Sequence, residues 1–475
     1  ASDVYKRQGM LIAEKNIEHV RRIAERERAP MYVVGETTDD HRFVFEQKDG
    51  VRPIDLNMED MFGKAPRTVM RDETVEEKYE DVTYNAADIH QYVEQVLQLE
   101  AVACKDWLTN KVDRSVTGKV ARQQCQGEIQ LPLSDCGVVA LDYRGKAGIA
   151  TSIGHAPQAA MIDPAAGSVL SVAEALTNIV WAPLSEGLDS VSLSANWMWP
   201  CKNPGEDARL YKAVEACSRF ACELGINIPT GKDSLSMTQK YGDEKVYSPG
   251  TVIISAGAEV SDVKKVVSPV LVRDARTAVY YIDFSFDALS LGGSAFAQSL
   301  GKVGCQAPTV QDSEYFASAF NAIQQLISEG LILAGHDISA GGMITALLEM
   351  NFANTEGGLE VKLDKLPEKD LIKILFSENP GVLIQVKDRK AVEKILEEAG
   401  VGYAVVGHPC SERHILVSKD GAEYLFGIDH LRDVWFSSSY LLDRKQSGEA
   451  QAKARFLNYN CLLYTSPSPR DRSVS

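Results

Sequence analysis

Tyr403-Ala-Val-Val-Gly407, then Ile415-Leu-Val417 and Lys419-Asp-Gly421, follow a helical pattern that begins near residue 390, and the whole stretch has a near copy earlier in the chain. Residues 17–50 run in the same order: a helical pattern, Met31-Tyr-Val-Val-Gly35, Phe43-Val-Phe45 and Lys48-Asp-Gly50. Short β-branched and aromatic runs of this kind read as strands. The offset between the copies is nearly constant. Residues 17–50 and 390–421 are therefore read as two copies of one domain's last third, the first lacking its beginning. Chance similarity of two α/β units is the competing reading, but duplication accounts for order and spacing together. Both copies are expected to fold as helix, strand, strand.

Outward from the second copy, Val279-Tyr-Tyr-Ile282 and Gly381-Val-Leu-Ile384 read as further strands. Within 90–260, Val138-Val-Ala-Leu141 and Val252-Ile-Ile254 do the same, alternating with helices. One helix starts after Asp163-Pro164, a cap followed by a first-turn proline, and keeps Val169, Ala173, Leu176 and Val180 at helical spacing. A second carries Leu210, Val214, Cys217, Phe220, Ala221 and Leu224 and stops at Gly225. Pro66 to Asp88 is charged and weakly patterned, which suits a linker. The class is α/β.

At 475 residues the chain has room for about three domains. Hydrophobic residues at 45% and charged residues at 24% suffice for a sizeable core. The net charge of −16 argues against a general nucleic-acid binder, which needs a basic face to displace counterions, but not against one local phosphate site. No apolar run approaches the roughly 18 residues that span a bilayer, and no secretory start is seen, so the chain reads as soluble and cytoplasmic. Nine cysteines without paired spacing read as reduced, mostly buried thiols. The head Asp3–Gln8 and the tail Cys461–Ser466 can be encoded by reverse-complementary sequences shifted by one base, like a transposase sequencing adapter. The authentic chain is expected to run from about Gly9 to Asn460 as an open fragment, with Leu462 and Tyr464 of the tail packing against nothing.

Glu174 and Asn178 sit four apart on a predicted helix and point one way. A carboxylate and an amide oxygen together suit Mg²⁺; the pair also fits a solvated helix face, the commoner use of such spacing. Asp135 precedes the strand near 137–141, and Asp337 lies in Gly335-His-Asp-Ile-Ser-Ala-Gly-Gly342 before an apolar helix, where acids often serve as caps. Gly231-Lys-Asp-Ser-Leu-Ser-Met237 reads as a glycine-led turn able to offer N–H groups and a cation to a phosphate, without Walker spacing. Leu291-Gly-Gly-Ser294 allows close phosphate approach or tight packing, with packing preferred. His155 and His336 have no Ser or Cys partner at a recognisable spacing, no Cys pair has zinc spacing, and Asn196-Trp-Met-Trp-Pro200 reads as core packing.

Taken together these stretches resemble phosphoribosylformylglycinamidine synthase in its large single-chain form. The resemblance covers nearly all of residues 9–460. It rests on Val112-Asp-Arg-Ser-Val-Thr-Gly118, Ser171-Val-Ala-Glu-Ala-Leu-Thr-Asn178, Ser194-Ala-Asn-Trp-Met198, Gly231–Met237, Leu291–Gln298 and His336–Gly342. It implies tandem halves similar to aminoimidazole ribonucleotide synthetase, each an N-terminal ferredoxin-like α/β domain followed by a C-terminal α/β domain. The implied division is an adapter head at 1–8, the end of the first half's C-terminal domain at 9–65 and a linker at 66–89. The second half's N-terminal domain would span 90–265 and its C-terminal domain 266–445. A linker start at 446–460 and an adapter tail at 461–475 complete it.

The resemblance also implies an ATP-dependent amidation of formylglycinamide ribonucleotide, with glutamine supplying ammonia and Mg²⁺ with ATP or ADP as cofactors. It places Mg²⁺ ligands at Asp135, Glu174, Asn178 and Asp337, which should then converge, and nucleotide contacts at Ser339 and Ser134. It puts Gly231, Lys232, Asp233 and Ser234 near substrate or phosphate. No catalytic residue is assigned, because the family's catalytic histidine and glutaminase cysteine are expected in a first half and a glutaminase domain that this stretch lacks. These two parts are the implied partners, besides nucleotide and ribonucleotide; neither nucleic acid nor membrane is. The fragment is expected to bind Mg²⁺-nucleotide and to be inactive alone. Alternatives are a module that holds an auxiliary nucleotide permanently, or a stand-alone enzyme like aminoimidazole ribonucleotide synthetase or selenophosphate synthetase. The truncated repeat speaks against the stand-alone enzyme.

Overall fold

A computed structural model describes residues 9–64, 69–75, 78–109, 114 and 118–461. The head at 1–8, Leu462 and Tyr464, and most of the Val112–Gly118 motif lie outside the described residues. The chain divides into two units, one up to Met70 and the other from Arg71.

The first unit holds the helix Ile17–Arg26, the antiparallel hairpin of Arg42–Phe45 with Ile54–Asn57, and the short helix Met58–Phe62. None of its described residues is buried. Helix and hairpin recur in the second copy as Arg389–Glu398 and His414–Lys419 paired with Ala422–Gly427. The expected common strand does not. Tyr403-Ala-Val-Val-Gly407 largely falls in the strand Ala404–Cys410, which pairs with Ala278–Asp283 on one side and Gly358–Lys362 on the other. Met31–Gly35 has no such neighbours among the described residues of its unit and is not extended into a ladder; Val34 is 95% exposed. A strand needs a partner for its amide groups, and local pattern alone does not supply one.

The second unit is built on two sheets. In the first, Val120–Arg122, Gly137–Ala140, Gly148–Gly154, Thr251–Val260, Ser192–Met198 and Asn227–Ser234 lie in that spatial order. All pairs are antiparallel except the last, where Ser192–Met198 and Asn227–Ser234 run parallel. The helices Pro164–Ile179 and Glu206–Glu223 pack on each other, and the former lies against this sheet. Asp163 caps the first helix by accepting from the Ala165 amide, with Pro164 in the first turn. Gly154 lets that helix lie directly on its strand, since a Cβ there would sit 2.3 Å from the Ser171 carbonyl oxygen. In the second helix Cys217, Phe220, Ala221 and Leu224 are buried as expected, whereas Val214 is exposed because it lies on the helix's outer side.

The second sheet orders Ile332–Asp337, Gly381–Val386, Ala278–Asp283, Ala404–Cys410, Gly358–Lys362, His414–Lys419 and Ala422–Gly427. Both faces are covered, which explains why Gly381–Val386 is apolar almost throughout and buried at every position. One face packs Tyr280, Ile282 and Ile384 into a core continuous with that of the first sheet. The other packs Val279, Leu383, Leu359 and Val417 under the helices Gly342–Phe352 and Ile428–Ser447. The helix Ile89–Leu97, expected to open the N-terminal domain, contributes Ile89, Val93 and Val96 to this second core instead. The stretch read as a linker is also tied down, by Asp72 accepting from the Gly205, Asp207 and Ala208 amides at the start of the helix Glu206–Glu223, by Glu80 pairing with Lys302 and by Val82 buried in the second core.

Five of the nine cysteines are buried and all are free. Among the described residues no helix is long and apolar enough to cross a membrane.

Candidate functional site

The site forms where the two sheets' elements meet. Asp135 comes from the turn before Gly137–Ala140, Glu174 and Asn178 from the buried helix Pro164–Ile179, and His336 and Asp337 from the end of Ile332–Asp337. Thirteen of that helix's sixteen residues are buried; Glu174 and Asn178 are half-buried, and their side chains bond to each other on the helix's remaining face.

His336, 7% exposed, is the hub. Its Nδ1 lies 2.9 Å from Asp135 Oδ1 and 3.3 Å from Asp337 Oδ1, and its Nε2 lies 3.0 Å from Glu349 Oε2. The other oxygens, Oδ2 of Asp135 and Oδ2 of Asp337, are buried without a hydrogen-bond partner, and Nδ1 is not aligned for a hydrogen bond with either aspartate. Burial alone would depress the imidazole's pKa, but the charges of Asp135 and its neighbours outweigh it and hold the ring well above its usual range. Burial raises the Asp135 carboxyl, with His336 pulling the other way. The charged ring offsets part of the carboxylates' burial, and the oxygen left over on each aspartate still costs on the order of 1–3 kcal/mol.

Glu174 stands next to this group. Its Oε1 accepts from Ser339 Oγ at 2.6 Å and from Asn178 Nδ2 at 3.3 Å. Burial and then the Asp337 charge push its carboxyl well above the ordinary range, against those two hydrogen bonds. Of the four expected ligands, Asp135 and Asp337 come together with His336, within 4.8 Å, while Glu174 lies outside that group and is joined to it through Ser339. Asn178 is adjacent but presents its amide nitrogen to Glu174, and would have to turn over to offer an oxygen. Ser134 is committed elsewhere, donating to the Gln123 carbonyl at 2.7 Å.

Gly231–Ser234 corrects the expectation of a turn. These residues form the end of the edge strand Asn227–Ser234, paired with Ala195–Met198. A Cβ on Gly231 would lie 2.2 Å from the Ala195 carbonyl oxygen, so the glycine serves the close approach of two strands. That edge is four strands from Gly137–Ala140, about 19 Å at the usual spacing. The exposed Lys232 ammonium meets Ser234 Oγ at 2.7 Å. Gly292 and Gly293 likewise serve packing, against Gln306 and Ala159. Trp199 is buried with Cys201 and Ala213, as core.

Two acids escaped the sequence reading. Glu349 is a lone carboxylate on the apolar helix Gly342–Phe352, and Glu378 accepts from the Gly341 and Ala295 amides at 2.7 and 2.8 Å. Burial pushes the Glu378 carboxyl up to about 7. An isolated acid inside an apolar run was the available signal for Glu349, and Glu378, in Ser377-Glu-Asn-Pro380, had none of that kind.

Residues 104–259 match the FGAR-AT PurM_N-like domain and residues 284–418 match the AIR synthase related protein, C-terminal domain. The phosphoribosylformylglycinamidine synthase of Homo sapiens is 37% identical over 462 residues, covering 92% of this chain and 34% of that protein. Its Dictyostelium discoideum counterpart is 32% identical over 513 residues, covering 98% and 38%. The chain spans about a third of the length of these curated relatives. T. maritima PurL complexed with FGAR superposes with a TM-score of 0.55 at 16% identity, over 72% of this chain and 53% of that one. The same protein complexed with ATP gives 0.54 at 15%, over 72% and 52%. These two show a common fold. The chain is a homologue of phosphoribosylformylglycinamidine synthase, corresponding to part of that enzyme and carrying a PurM_N-like domain followed by an AIR-synthase-related C-terminal domain.

Proposed function

We propose that this chain is the Mg²⁺-nucleotide-holding part of a phosphoribosylformylglycinamidine synthase, acting in the cytoplasm in the ATP-dependent amidation of formylglycinamide ribonucleotide. The observation that carries this reading is the pair of buried, partnerless oxygens on Asp135 and Asp337, with Glu174 alongside. Buried oxygen donors left without partners fit a hard divalent cation. Asp135, Glu174 and Asp337 would hold Mg²⁺, with Asn178 joining after its amide turns. Bound Mg²⁺ would neutralise phosphate oxygens. Ser339, bonded to Glu174, would contact the nucleotide, and Ser134 would do so after releasing the Gln123 carbonyl. Gly231, Lys232, Asp233 and Ser234 would touch phosphate only at the periphery.

The relatives named above are enzymes of this activity by name, and T. maritima PurL has been seen with ATP and with FGAR. The domain division at 65, 89, 265 and 445 is kept as part of the proposal, with the helix Ile89–Leu97 docked on the later domain. Amidine formation is proposed to need the first synthetase half and the glutaminase, in the part of the relatives that this chain does not span. Calorimetry with Mg²⁺-ADP tests the binding. Asp337→Ala should abolish it, and equal affinity would remove Asp337 from the site. Amidine formation by this chain with ammonia would refute the division of labour. Tight binding without turnover would favour the auxiliary-nucleotide role.

A further inference from the structure

We infer that the C-terminal domain carries a second small-molecule site, a cavity of about 570 Å³ between residues 281–289, 366–379 and the start of the helix Gly342–Phe352. It takes a flat organic cation: an aromatic body bearing an amidinium, guanidinium or protonated amine. The volume falls within the roughly 300–1,000 Å³ of small-molecule sites. No lining residue belongs to the acidic centre. The backbone separates the two by alternation, since Asp337 and Ser339 face that centre while Ile338 between them lines the cavity.

Leu289, Ile338, Met343, Leu366, Pro367 and Ile374 make the walls apolar, which suits the face of an aromatic ring. The polar groups set the charge. Asp283, Asp287 and Glu368 line the cavity against Lys369, so an anion is repelled and a cation drawn in. The acids are fixed before any ligand arrives. Asp283 Oδ1 accepts from the Ser285 amide and hydroxyl at 3.1 and 2.7 Å, and its Oδ2 from the Phe286 amide at 2.8 Å. Asp287 accepts from the Ala288 and Thr309 amides. Glu368 Oε1 accepts from the Lys369 and Asp370 amides, while its Oε2 makes no hydrogen bond or ion pair among the described residues. Ser377, 4% exposed, lines the interior, and its hydroxyl makes no hydrogen bond among the described residues either. Buried polar groups without partners call for a ligand with several N–H donors, which an amidinium or guanidinium supplies in one plane.

Three probes of one shape test this in the whole chain: benzamidine, benzamide and benzoate, followed through the ¹³C-methyl signals of isoleucine and methionine. Benzamidine should move the Ile338 and Met343 methyls and bind about ten-fold more tightly than benzoate, the worth of one charge-assisted contact. Asp283→Asn should erase most of that preference and leave benzamide binding unchanged. Glu368→Gln, at a half-buried position, should reduce the preference in the same direction, which keeps the test open if Asp283→Asn does not fold. Ala288→Trp, at an exposed lining position, should fill the cavity and abolish binding of all three. The wild-type series decides the point whatever the variants do. Benzoate binding as tightly as benzamidine through the same methyls would overturn the preference for a cation. Benzamidine that moves neither methyl would overturn the site, and so would its displacement by Mg²⁺-ADP, which would put the probe in the nucleotide centre instead.

Discussion

The two hairpins share a sequence pattern. Phe43 faces Leu56 in the first, and Ile415 faces Phe426 in the second. Ile415 and Phe426 are buried, at 0% and 2% exposure, in a seven-stranded sheet under helices. Phe43 and Leu56 are exposed at 38% and 44% in a two-stranded ribbon. The turn and the alternation form the hairpin in both places, and the difference lies in what covers it. Local signals therefore account for the ladder, and tertiary neighbours account for its stability.

Hydrogen exchange should break or confirm that contrast most sharply. Amides of 414–419 should open only with the whole second unit, while those of 42–45 should exchange through local opening at close to zero free energy. Comparable protection in both would mean that the first hairpin is covered after all.

Side-chain truncation comes next. Ile415→Ala removes fully buried methyls and should cost about 2–5 kcal/mol in chemical denaturation. Phe43→Ala, at the residue that the sequence pattern sets against Ile415, should stay within about 0.5 kcal/mol. Equal losses would show that burial is not what distinguishes the copies.

The contrast extends to charge. Asp55 of the first hairpin sits in water against Arg42, which lowers its carboxyl below the ordinary range. Glu378 of the second unit is withdrawn from water, and its carboxyl rises from 4.5 to about 7. The folded state therefore keeps a proton that the unfolded chain gives up. Stability from this group is complete below about pH 4.5 and is lost as pH climbs to about 7, by about 3 kcal/mol. Glu378→Gln should flatten that part of a stability–pH curve measured without divalent ions. An unchanged slope would mean that Glu378 ionises normally.

What the residues disclosed follows the same division. The helix after Asp163 and the strands Ala278–Asp283 and Gly381–Val386 were legible because cap, proline and apolar runs act locally. Met31–Gly35 misled, since its strand-like residues have no ladder to join. Gly231 misled in the opposite direction: a glycine required by strand contact looks, in sequence, like one required by a turn. Asp135, Glu174 and Asp337 could be named through the resemblance. The roles of His336 and Glu349 depend on packing between distant segments, which no spacing along the chain records.

The smallest effect should be the one that ignores burial. Gly50 and Gly421 close the two hairpins with φ of +82° and +84°, and a Cβ at either would meet nothing within 4 Å. The cost of alanine is then a backbone cost alone, about 1 kcal/mol for holding an L-residue in the left-handed region. It should be the same in both copies, because neither sheet nor core touches the added methyl. In the second unit Gly421→Ala would appear as a loss of global stability. In the first, Gly50→Ala would appear as about a five-fold lower hairpin population by local exchange or chemical shift. Matching values would separate the turn's contribution from the core's, since the side-chain substitutions differ between the copies and the turn substitutions do not. A loss at Gly421 several times larger than at Gly50 would show that the buried sheet amplifies turn strain, and that the two hairpins cannot be treated as one local unit in two settings.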